Sequence, residues 1–69
     1  MISPFNERLM PHAERLLNTF LAKAFAGDPL NRARLRSWTL NGIKRPYFNR
    51  WAQSLPPEEA AKLFAILHE

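Results

Sequence analysis

Residues 42–53 read Gly42-Ile43-Lys44-Arg45-Pro46-Tyr47-Phe48-Asn49-Arg50-Trp51-Ala52-Gln53. Phe48 and Trp51 stand three apart, the step that puts two side chains on one face of a helix. Lys44, Arg45, Asn49, Arg50 and Gln53 take other positions, and every one carries hydrogen-bonding groups. The stretch reads as a short helix with rings behind it and cations and amides in front. Gly42 suits a tight turn that calls for positive φ. Ile43 is the apolar residue expected to plug the corner. A helix, a tight turn and a second helix with polar outward positions is the layout of a helix-turn-helix.

The flanking sequence extends this reading in both directions. Upstream, Asp28 caps a helix with Pro29 at its first position, where the missing N–H costs nothing. That helix runs to about Leu40 and stops at Asn41-Gly42. Downstream, a short helix from Arg45 or Pro46 reaches Ser54. Pro56-Pro57-Glu58-Glu59 then opens a closing helix, with acidic groups at the positive end of the dipole. Ala60, Leu63, Phe64 and Leu67 are its expected apolar stripe. Before Gly27 lies one long amphipathic stripe: Phe5, Leu9, Ala13, Leu16, Leu17, Phe20, Leu21, Ala24 and Phe25, at steps of three and four. Ser3 is its expected N-cap, with Pro4 behind it, and Pro11 marks a kink or break near Met10. No stretch alternates at period two long enough for a strand. The expectation is an all-α, compact four- to five-helix domain spanning residues 1–69. It comprises an N-terminal amphipathic helix (4–26), a basic helix-turn-helix-like unit (29–54) and a closing helix (56–68).

Length and composition exclude several function classes. A chain of 69 residues makes one domain and buries only about 60% of its unfolded surface. It has no cysteine, so disulfides, thiolate zinc sites and cysteine nucleophiles are ruled out. A reducing, cytoplasmic location is the default. Apolar runs of five residues or fewer cannot span a membrane. Ala24-Phe25-Ala26 has the look of a signal-peptidase site, but Glu14, Arg15, Asn18, Thr19 and Lys23 interrupt the stretch before it, and no export signal is read. His12 and His68 lack ligand-spaced partners, so no metal site is expected. No serine or threonine has a histidine-plus-acid pattern nearby, and two glycines make no phosphate loop. The chain is not expected to be an enzyme or to hold a cofactor.

The charge is concentrated in one segment. Residues 1–28 are neutral and residues 58–69 carry a net −2. Residues 29–57 carry Arg32, Arg34, Arg36, Lys44, Arg45 and Arg50 with no acid at all. Such a block is the electrostatic footprint of a nucleic-acid binder. Arg pairs with guanine, Asn and Gln with adenine, and Lys with guanine or phosphate. The expected double-stranded DNA contacts are Lys44, Arg45, Asn49, Arg50 and Gln53, with Arg36 and Arg32 reaching phosphate. Tyr47 sits at the helix edge, where its hydroxyl meets either phosphate or the half-buried surroundings of an ordinary aromatic. Trp38 reads equally as core or as partner surface.

The run from Gly42 to Gln53 resembles the turn and recognition helix of phage Cro and repressor-type regulators. Leu55-Pro56-Pro57-Glu58 and the helix after it resemble the step into the closing helix of small Cro proteins. The likeness covers residues 34–67. It implies a small transcription regulator of the repressor kind, of phage, plasmid or bacterial type, that sets the helix after Gly42 into the major groove. The sequence departs from the pattern at Trp38, where a small residue is usual. It also departs at Ser37 and Asn41, where apolar residues are common, and at Pro46, inside the expected recognition helix. A second frame makes Asp28-Pro29 the turn and Arg32, Arg34, Arg36 and Thr39 the reading face.

Two other outcomes follow from the same residues. The basic face also suits an acidic protein partner, as in a small helical inhibitor or adaptor. RNA shares the charge argument but lacks the aromatic sheet platform of common single-strand readers. The wide N-terminal stripe, with Phe20 and Phe25, leaves apolar surface for which a homodimer is a natural use. No membrane role is expected, because the polar face of that helix is mixed in charge.

Overall fold

The computed structural model describes residues 5–69, and among them there are four α-helices and no strand. The expected Ser3 cap and Pro4 lie outside the described residues. Helix α1 spans Met10–Phe25, α2 Pro29–Leu40, α3 Arg45–Gln53 and α4 Pro57–Leu67. All four carry proline in the first turn, the one helical site where a missing N–H leaves no bond broken.

The first helix is shorter than its apolar stripe. Pro11 cannot donate to the carbonyl four residues back, and its ring would collide there. So α1 begins at Met10, and a single 3-10 turn, Glu7–Leu9, leads into it. Asn6 starts that turn by accepting the Arg8 N–H on its side chain at 3.0 Å. The expected break at Pro11 is thus the helix start, and Phe5 lies ahead of the helix. At the other end Gly27 takes φ +100. Its N–H donates to the Ala24 carbonyl at 3.0 Å and the Asp28 N–H to Lys23 at 3.1 Å. This pair of bonds is the Schellman arrangement, which needs a left-handed residue. Asp28 then turns the chain directly into α2 by accepting the Leu30 N–H and the Asn31 side-chain amide.

The corner between α2 and α3 is built differently from the sequence expectation. Positive φ occurs at Gly27 and not at Gly42. Asn41 does the turning: its side-chain oxygen accepts the Ile43 and Lys44 N–H groups at 2.9 and 3.0 Å. Its carbonyl accepts the Arg45 N–H at 2.8 Å. The asparagine that breaks the family pattern is therefore the cap of this turn. Pro46, another of the departures, falls in the first turn of α3, where it is tolerated. Ile43 does not plug the corner; it is 67% exposed, because the Asn41 bonds hold the turn without help from an apolar side chain.

The core takes Met10, Ala13, Leu17, Leu21 and Ala24 from α1, Leu35 from α2, Tyr47, Phe48 and Trp51 from α3, and Leu63 and Ile66 from α4. Trp51, Leu17 and Leu35 are the largest fully buried side chains. Phe48 meets Trp51 edge-on at 5.6 Å, a favoured ring geometry. The Trp51 indole N–H donates to Asn18 Oδ1 at 2.8 Å, so its burial leaves no donor unpaired. The apolar face of α4 is rotated from expectation. Ile66 is buried, while Phe64 is 61% exposed. A short helix rich in alanine has apolar groups on more than one side, and the packing partner selects among them. Leu9 and Phe25 of the N-terminal stripe are likewise exposed, although Met10 and Ala24 beside them are buried.

Candidate nucleic-acid interface

Burial of Tyr47, Phe48 and Trp51 orients α3. At about 100° per residue, Arg45, Asn49 and Gln53 then fall in a row within about 80° on the far side. The row is exposed along its whole length. It forms the lip of a cleft of about 310 Å³ between α3 and α4, floored by Ala52, Leu63, Phe64 and Leu67. Among the described residues, Arg45 takes part in no ion pair. A guanidinium and two amides in one accessible row can donate to phosphate oxygens or to the acceptors of purine edges.

The other expected contacts are scattered. Arg50 lies on a different flank, beside Glu7, Met10 and Glu14. Its guanidinium is 3.3 Å from the Glu7 carboxylate and 5.4 Å from the centre of the Phe5 ring. Both members of that ion pair are more than half exposed, so the pair is weak and a phosphate can exchange for the carboxylate. Lys44 stands on a third flank, with its ammonium 5.2 Å over the Trp38 ring. Trp38 itself is half-buried and meets Phe20 edge-on at 6.3 Å.

Arg32 and Arg36 are occupied elsewhere. They lie four apart on α2 and both grip Glu69, at 2.6 and 3.3 Å. The Arg32 Nε–H also donates to the Ala24 carbonyl, and Arg36 donates to the Ile66 carbonyl. These carbonyls belong to the last turns of α1 and α4, where each arginine bond adds to a backbone bond already made, from the Gly27 and Glu69 N–H groups respectively. The two arginines, expected to reach phosphate, thus tie helix ends together in this structure. The spacing of four was the available sequence signal; their partner Glu69, far along the chain, was not. The second frame, with α2 as the reading helix, loses these two arginines. Its third, Arg34, lies 5.5 Å over the Phe20 ring, and the Thr39 hydroxyl donates to the Arg36 carbonyl.

Tyr47 takes the second of its two expected places, that of an ordinary aromatic, and goes deeper than half-buried. It is buried, stacks on Phe5 at 4.8 Å, and its hydroxyl oxygen accepts the Asn6 N–H at 2.7 Å. The hydroxyl joins the N-terminal segment to α3 rather than facing outward. Phe64 is the residue the sequence reading missed. Taken as core by its spacing, it stands at the cleft beside the α3 row. Among the described residues no group of three or more His, Asp or Glu side chains is placed to hold a metal. No helix there is long and apolar enough to cross a membrane.

Comparison with protein-family models, with curated proteins and with solved structures finds no match to this chain.

Proposed function

We propose that this chain is a small DNA-binding regulator that lays α3 in the major groove of double-stranded DNA. The observation that carries the reading is the exposed row Arg45, Asn49 and Gln53, backed by the buried rings of the same helix. The row follows a four-residue turn after α2, the connection length of a helix-turn-helix. The major groove is about 12 Å wide and admits one helix. Arg45 donates to guanine or phosphate there, and Asn49 and Gln53 offer paired bonds to adenine. Lys44, at the N-terminal end of α3, and Arg50, after release from Glu7, reach the flanking backbone. These contacts position the protein, while the row reads bases.

The test is polarisation of a labelled random duplex at low salt, followed by selection of a preferred site. Binding tighter than about 10⁻⁴ M, the weak limit of non-specific DNA binding, supports the reading. On the selected site Asn49→Ala weakens binding by about 1–3 kcal/mol without changing the fold. Weaker binding of the wild type, or equal affinity of wild type and Asn49→Ala for the selected site, overturns it.

A further inference from the structure

A second surface lies away from the α3 row, in the cleft between α1 and the turn that joins α2 to α3. We infer that this cleft docks an acidic peptide segment that carries large apolar side chains. The inference stands independently of the DNA reading.

The cleft has a volume of about 320 Å³, with walls of Leu9, Leu16, Trp38 and Ile43. Leu9 is 51% exposed and Ile43 67%, and Leu40 beside the turn is 86% exposed. The fold has no use for these side chains outside the core. The turn is held by Asn41, and a polar residue at position 43 would serve it equally well. Clustered exposed apolar groups mark an interaction surface rather than scattered surface residues.

The rim decides the occupant. Lys44 stands on one lip and His12 on the other. Arg15 follows His12 by three residues and Arg8 precedes it by four, so both continue from the His12 lip without lining the cleft itself. None of Arg8, Arg15 and Lys44 takes part in an ion pair among the described residues. The acids of this part of the chain, Glu7 and Glu14, line the other flank with Arg50. An apolar floor inside a cationic rim is complementary to an apolar anchor flanked by carboxylates. Duplex DNA matches the rim but has nothing to bury on the floor. A second copy offers Phe25 beside Glu59 and is the competing occupant that sedimentation separates from the peptide.

The two tryptophans make the test site-specific, since Trp38 lines the cleft and Trp51 is 2% exposed in the core. The full chain is labelled with 5-fluorotryptophan and followed by fluorine NMR. The probe is a synthetic peptide of about twelve residues, with leucines at i, i+3, i+4 and i+7 among glutamates. The Trp38 signal is expected to shift saturably while the Trp51 signal stays in place. Ile43→Ser weakens binding by about tenfold or more, with an unchanged circular dichroism spectrum. A peptide with glutamine for glutamate binds more weakly, and added salt weakens the acidic one. No Trp38 shift at millimolar peptide overturns the inference, as does an equal response to the glutamine peptide. A Trp38 shift that follows protein concentration, with a dimer in sedimentation, would assign the cleft to a second copy and overturn it too.

Discussion

Raising salt from 50 to 200 mM tests how many cations the protein brings to DNA. Residues 29–57 contain six basic side chains, and if all met phosphate the slope of log affinity against log salt would be about −5. In the structure Arg32 and Arg36 are held by Glu69 and by helix-end carbonyls. Arg34, Lys44, Arg45 and Arg50 remain, and Arg50 must first leave Glu7. Three to four phosphates give a slope of about −2.7 to −3.6, so the fourfold rise in salt weakens binding by about 40- to 150-fold. Six contacts would instead cost on the order of 2,000-fold. Arg45→Gln removes one contact and flattens the slope by about 0.9. Arg36→Gln leaves the slope alone and lowers stability by up to about 1 kcal/mol, since its ion pair is partly exposed and screened. The assay is polarisation of a labelled random duplex across the salt range, with urea melts of each variant. A wild-type slope steeper than about −5 would show that the clamp on Glu69 opens on DNA and refute the reasoning. An Arg45→Gln slope equal to wild type would remove α3 from the interface.

The two glycines separate cleanly. Gly27→Ala forces φ +100 on a residue with a Cβ and costs about 1–2 kcal/mol, whereas Gly42→Ala is neutral or stabilising by up to about 1 kcal/mol, because a Cβ there meets nothing; thermal melts that rank them the other way would refute the turn assignment. Asn41→Ala removes the acceptor for two N–H groups and costs about 1 kcal/mol by urea titration. Tyr47→Phe costs about 0.5–1.5 kcal/mol through the lost Asn6 bond and leaves duplex affinity unchanged; a selective loss of affinity would return the hydroxyl to the interface. Leu35→Ala, at a fully buried site, costs about 2–5 kcal/mol, so a loss below about 1 kcal/mol would contradict its place in the core.

Much of the fold was legible in the order of residues. The prolines near 11, 29, 46 and 57 mark helix starts because a missing N–H is tolerated only there. Gly27-Asp28 ends one helix and caps the next, and the spacing of Phe48 and Trp51 identifies the buried face of α3. These are local effects, settled within a turn or two of backbone. Charge counting likewise located the acid-free segment.

Tertiary structure alone decided the rest. The sequence placed Arg32 and Arg36 in the basic block, but their partner Glu69 is 37 and 33 residues away, and no local rule brings it near. The choice of Ile66 over Phe64 as a core residue depends on how α4 meets α1 and α2. The division of Lys44, Arg45 and Arg50 among three flanks depends on which helices pack beside α3. Helical period and capping are short-range and strong enough to read from neighbouring residues. Which side of a short helix is covered, and which charge finds a partner, is a contest among weak long-range contacts that only the assembled core resolves.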